Sequence, residues 1–164
     1  MTAHLVRRQS VVRGEAPWWL LPAMEGNLWE PVGAELRALG RTGAPVKIAR
    51  DFTVLTLNNW GLDELASDAR LVVSELVTNA VRHAGEPTRL RLLHRASHVV
   101  CAVFDPREQP PVVTDADYFA ETGRGLWLVE SLSCSWGWRL QAGRGKLVWA
   151  AFTAPSAVGR RNSA

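Results

Sequence analysis

RLRLLHRASHVVCAVFD, residues 89–105, is the stretch on which the fold turns. Two runs rich in apolar and β-branched residues, 89–95 and 98–105, are separated only by Ala96 and Ser97, a spacing that predicts a β-hairpin. The pattern returns downstream, where WGWRLQ, the turn AGRG and KLVWAAF make a second hairpin across residues 136–152. Between the hairpins lies a polar, Pro-rich loop, residues 106–122, which ends in GRGL. Leu126, Leu128, Val129 and Leu132 then repeat at helical spacing up to Ser133. Upstream, a long helix is expected from Asp63, a reasonable N-cap, to about Ala84, with Gly85 and Pro87 to stop it. Val46 to Trp60 reads as another helix, with Ile48, Phe52, Leu55 and Trp60 inward and Gly61 ending it. Its Thr and Val content would equally suit a strand.

Hairpin-joined strands with helices on one side make an α+β, two-layer sandwich. Residues 31–45 show no clear element beyond the loop GRTGAP. Residues 1–30 lack sustained periodicity and read as a variable arm, folded back on the domain through Trp18, Trp19 and Trp29. The expected organisation is therefore an arm at 1–30, one domain at 31–154 and a disordered tail at 155–164.

At 164 residues the chain is long enough to bury a proper core. Its net charge is +3, and 17 of its 19 basic residues are arginine. That excess is small and scattered, with no basic stripe interleaved with aromatics, so a nucleic-acid partner is not expected. No 18-residue apolar run exists, which argues against a membrane span. APWWLLPAM is apolar but short, carries two prolines and follows Glu15, so it is a poor signal peptide. Cys101 in an apolar run and Cys134 in a predicted helix read as buried thiols, and no zinc-ligand spacing occurs. The default location is the cytoplasm.

The long helix ends in ELVTNAVRHA, residues 75–84. Offsets of four, seven and eight return to one face, so Glu75, Asn79, Arg82 and His83 form a narrow polar stripe beside an apolar arc. A half-exposed helix whose polar residues merely face water would show the same spacing. The types nevertheless suit phosphate chemistry. An Asn oxygen can ligate Mg²⁺, a Glu one turn away can take a proton, and an Arg can meet a phosphate. Gly123 and Gly125 bracket Arg124 just before a helix, so free N–H groups and the helix dipole converge there, although two glycines also make an ordinary loop end. Asp105 ends an apolar strand, where it could accept from an amino-bearing ring or simply begin a turn. The Walker pattern GxxxxGK[ST] is absent.

Taken together, ELVTNAVRHA, the DP at a strand end, GRGLWLVESL and GRGKLVWAAF resemble the GHKL superfamily of histidine-kinase-like ATPase domains over roughly residues 45–153. More narrowly they look like its anti-sigma-factor serine-kinase branch, and what carries the resemblance is the order and spacing of these elements together, including NNWGL before the long helix and SWGW after the GRGL helix. The resemblance implies a Bergerat-type ATP-binding fold with a mixed, mostly antiparallel sheet, and ATP and Mg²⁺ as cofactors. It implies Glu75 as catalytic base and Asn79 as Mg²⁺ ligand, with Arg82 and His83 on the phosphate side. Asp105 would read the adenine amino group, and Gly123, Arg124, Gly125 and Leu126 would close over the phosphates. Gly143, Gly145 and Lys146 would form a reduced last box, with Val148 beneath the base. The implied activity is transfer of the γ-phosphate to a protein Ser or Thr, with a sigma factor or an anti-anti-sigma antagonist as partner and a homodimer within the family's range. The rival reading is a nucleotide-sensing binding module without phosphoryl transfer. The sequence departs from the family at Pro106 and Arg107, where a glycine is usual two residues after the aspartate. It also lacks a threonine in the last box, and its acidic lid suggests modest ATP affinity.

Overall fold

The computed structural model describes residues 10–24, 32–37, 39, 44–84, 88–108, 123–141 and 145–154. The central hairpin is as expected. Strands β3 (Leu90–Arg95) and β4 (His98–Asp105) pair antiparallel around Ala96, whose positive φ of 51° makes the tight turn. The second hairpin joins β5 (Ser135–Gln141) to β6 (Gly145–Thr153), and β6 also pairs with β4. Two five-residue strands that the sequence reading left unassigned complete the sheet. They are β1 (Ser10–Gly14), paired with β5, and β2 (Val32–Leu36), paired with β3. The order is β1-β5-β6-β4-β3-β2, and every described pairing is antiparallel.

Helices α2 (Pro45–Asn59), α3 (Ala66–Ala84) and α4 (Gly123–Leu132) cover one face of this sheet. α2 ends in a Schellman motif. Gly61 takes φ 69°, its N–H donates to the Asn58 carbonyl, and the Leu62 N–H donates back to that of Leu57. Of the four residues expected inward on α2, Ile48, Phe52 and Trp60 pack against the core, whereas Leu55 is 61% exposed and Ala49, Thr53, Thr56 and Leu57 are buried beside them. Buried Thr53 is tolerated because its hydroxyl donates to the Ala49 carbonyl. Asp63 does not cap α3. It opens a short 3-10 turn, Asp63–Leu65, where its charge still favours the positive helix end.

Period-two alternation assigns the sheet side chains to two cores. Leu92, Val99, Cys101, Val103, Val148, Ala150 and Phe152 face the helices. Leu93, Val100, Ala102, Trp149 and Ala151 face the other way, where Trp19, Leu20 and Ala23 seal them. A short helix, α1 (Leu20–Met24), thus straps the back of a two-layer sandwich. Trp18 remains outside the strap, stacked on the Arg95 guanidinium at 4.8 Å. Cys101 is buried, its thiol pushed up to about 12 by desolvation. Cys134, expected to be buried, lies exposed beyond the end of α4. No described helix is long and apolar enough to cross a membrane.

Candidate functional site

α3 packs against α2, α4 and the sheet, which leaves its polar stripe on a partly covered surface. Glu75 and Asn79, one turn apart, are half-buried, and Arg82 is exposed further along the helix. Val72, Val73, Leu76, Val77 and Ala80 form the fully buried arc beside them. Burial raises the Glu75 carboxyl above its usual value near 4.5. The Asn79 amide offers a hard oxygen donor that suits Mg²⁺, and the half-buried Glu75 carboxylate one turn away offers a proton acceptor. His83 falls in the last turn of α3, with its side chain outside the described residues.

The GRGL segment is not a loop before a helix, because α4 begins at Gly123 itself. Gly123, Arg124 and Gly125 therefore form its first turn, where N–H groups lack helical acceptors. The side chain of Arg124 lies outside the described residues. Leu126 is 3% exposed and belongs to the helix-side core, so its role there is packing. Val148 sits in the same core. Gly143 lies outside the described residues, as does the acidic lid, residues 107–122, beyond Glu108.

Asp105 closes β4 and stands directly opposite Lys146 at the start of β6. Both are buried, at 4% and 1% exposure. The Lys146 ammonium lies 3.1 Å from Asp105 Oδ2 and donates at 2.9 Å to the Arg107 carbonyl, and the Arg107 N–H donates to Asp105 Oδ1 at 2.9 Å. Burial pulls the lysine below its usual range, and the adjacent carboxylate opposes that pull. Pro106 and Arg107, a departure from the family pattern in the sequence, thus build the turn that clamps this pair. Arg107 supplies the missed function through its backbone. An Asp whose side chain accepts from the N–H two residues on is an Asx-turn, a legible signal. Gly145 makes the close fit possible. It adopts φ 91°, and a Cβ there would lie 2.6 Å from Pro106 Cα.

These residues fit an adenine nucleotide at both ends. Each Asp105 carboxylate oxygen has one partner named here and retains acceptor capacity for an amino group. At the other end, Glu75 and Asn79 offer oxygen donors, and the first turn of α4 offers N–H donors.

The raised Glu75 has a measurable consequence. A carboxyl held above its unfolded value contributes stability that is complete below about pH 4 and lost as pH rises through its folded value. Glu75→Gln should therefore match wild type in melting temperature near pH 4 and exceed it at pH 7.5. Calorimetric melting at the two pH values checks this.

A family model described as a histidine kinase-like ATPase domain matches residues 42–152, a span that contains α2 and runs to near the end of β6. No curated protein matches the chain.

Proposed function

The chain belongs to the histidine kinase-like ATPase domain family, an ATP-binding family, and from that premise we propose that it is an anti-sigma-type regulator using ATP to phosphorylate a protein Ser or Thr. The observation that carries the proposal is Glu75 held half-buried one turn from Asn79, with its carboxyl raised by burial. A proton acceptor works best when its pKa approaches the working pH, and burial moves Glu75 in that direction. Asn79 would hold Mg²⁺, which when bound neutralises charge on the phosphate oxygens. Glu75 takes the proton of the attacking hydroxyl, while Arg82, His83, Arg124 and the Gly123–Gly125 turn hold the phosphates. Asp105 receives the amino group of the base, with Lys146 behind it. Phosphoryl transfer needs positioning and charge neutralisation more than covalent help, and these residues supply both.

The acceptor would be a small antagonist of the anti-anti-sigma type, and the regulated target a sigma factor, with the protein acting in the cytoplasm. A homodimer would fit such a role. The second reading is a binding module that holds nucleotide and partner without transfer. That reading uses the same Asn79 and Asp105 and assigns no proton transfer to Glu75.

The first test is calorimetric Mg-ATP binding by wild type and Asn79→Ala. The expected result is saturable binding weakened at least tenfold in the variant, equivalent to the loss of about 1.4 kcal/mol. Equal binding by the two proteins would remove the metal site from α3, and no binding at millimolar ATP would overturn nucleotide binding itself.

A further inference from the structure

The chain has two lysines, and one of them, Lys146, is buried with its charge against Asp105. An arginine fork would cover both carboxylate oxygens, whereas a lysine presents a compact point charge with three donors. Lys146 uses one donor on Asp105 Oδ2 and another on the Arg107 carbonyl, and Oδ1 is held by the Arg107 N–H. The carboxylate is fixed in place, charge-compensated and still able to accept.

We propose that Lys146 is a specificity-determining positioning residue that keeps Asp105 an acceptor-only group and so selects a purine with a 6-amino group over one with a 6-oxo group. The inference rests on the reading that Asp105 receives the base. A carboxylate buried without a cation tends to take up a proton, and the neutral acid can then donate. A protonated acid would accommodate a 6-oxo purine, whose O6 is an acceptor. An ionised carboxylate faces that same O6 with no hydrogen between the two oxygens, and a buried polar group without a partner is what makes a site reject an analogue. Among the described residues, the charged groups facing Asp105 are Lys146 from β6 and Arg107, whose Nε lies 3.9 Å from Oδ1, while Arg89 lies over the neighbouring Phe104 ring.

The experiment compares ATP with inosine 5′-triphosphate (ITP), which differ at the purine 6-position and in the proton that the 6-oxo base carries on N1, and share a triphosphate whose own titration cancels in the ratio. Binding of both is measured by calorimetry from pH 5.5 to 8.0 on wild type and Lys146→Gln, which keeps a donor and removes the charge. Wild type is expected to prefer ATP by at least about tenfold at every pH, the worth of one charge-assisted hydrogen bond. Lys146→Gln should fall within about threefold between the two ligands, with ITP gaining as pH drops. A folded Lys146→Gln that keeps the wild-type preference overturns the proposal. So does a wild-type preference that changes more than about threefold across the pH range, a result that needs no variant to fold. Equal binding of ATP and ITP by wild type overturns this inference but leaves ATP binding intact, whereas binding of neither overturns the ATP reading beneath it.

Discussion

Trp149→Ala is expected to lower the stability of the fold by about 3–5 kcal/mol, a large share of the 5–15 kcal/mol that holds a domain of this kind together. The magnitude follows from the place of the indole. Trp149 is fully buried on the central strand β6, and its register partners are Ala102 on β4 and Gly137 on β5. Small residues on both sides give the ring its room on the back face of the sheet. Among the described residues, Trp19, Leu20 and Ala23 of the strap cover it, with Ala16 beside them. A five-residue helix has little backbone with which to collapse into the space, so the cavity term should be near the top of its range. The urea midpoint should fall with an unchanged slope, and the melting temperature should drop by about 10 °C. A loss below about 1 kcal/mol would mean that residues 16–24 do not seal the back of the sheet in solution.

The same tryptophan shows how much the sequence discloses. Strands covered on both faces read as continuous apolar runs, and KLVWAAF and HVVCAVF are such runs. The arm was expected to fold back through Trp18, Trp19 and Trp29. Trp19 does so, Trp18 is exposed and Trp29 lies outside the described residues. α3, α4 and both hairpins were legible because their signals are local, whereas the five-residue α1 was not. Nor were β1 and β2. SVVRG and VGAEL are five-residue edge strands paired on one side only, and they carry glycine, which weakens strand patterning. On α2 only Leu55 was misplaced, because hydrophobicity alone ranks it above Thr53 and Thr56, whereas satisfied hydroxyls can be buried. The placement of Glu75 and Asn79 one turn apart on one helix was legible from one helical period. The pairing of Asp105 with Lys146 was not, because strand register brings together residues from opposite ends of the second half of the chain.

Glu75→Gln should separate the kinase reading from the binding-module reading. Gln has nearly the shape of Glu but cannot take a proton at neutral pH, so a role as general base would vanish while the packing beside Leu76 and Asn79 stays. Loss of a positioned base costs roughly 10²–10⁴ in rate. The variant is therefore expected to bind Mg-ATP within about twofold of wild type, since Asn79 and the first turn of α4 are untouched. Transfer of labelled γ-phosphate to a protein acceptor, in an extract of the cells that encode the chain, should fall at least 100-fold. If wild type labels no protein and the variant matches it in both nucleotide and partner binding, the half-buried carboxylate has no catalytic role and the binding-module reading stands. If labelling persists undiminished in the variant, another group takes the proton. The loose, largely dissociative transition state of phosphoryl transfer makes that chemically reasonable, since positioning and charge neutralisation carry most of the rate. The weight of catalysis would then shift from α3 to the first turn of α4, where the backbone N–H groups of Gly123–Gly125 converge.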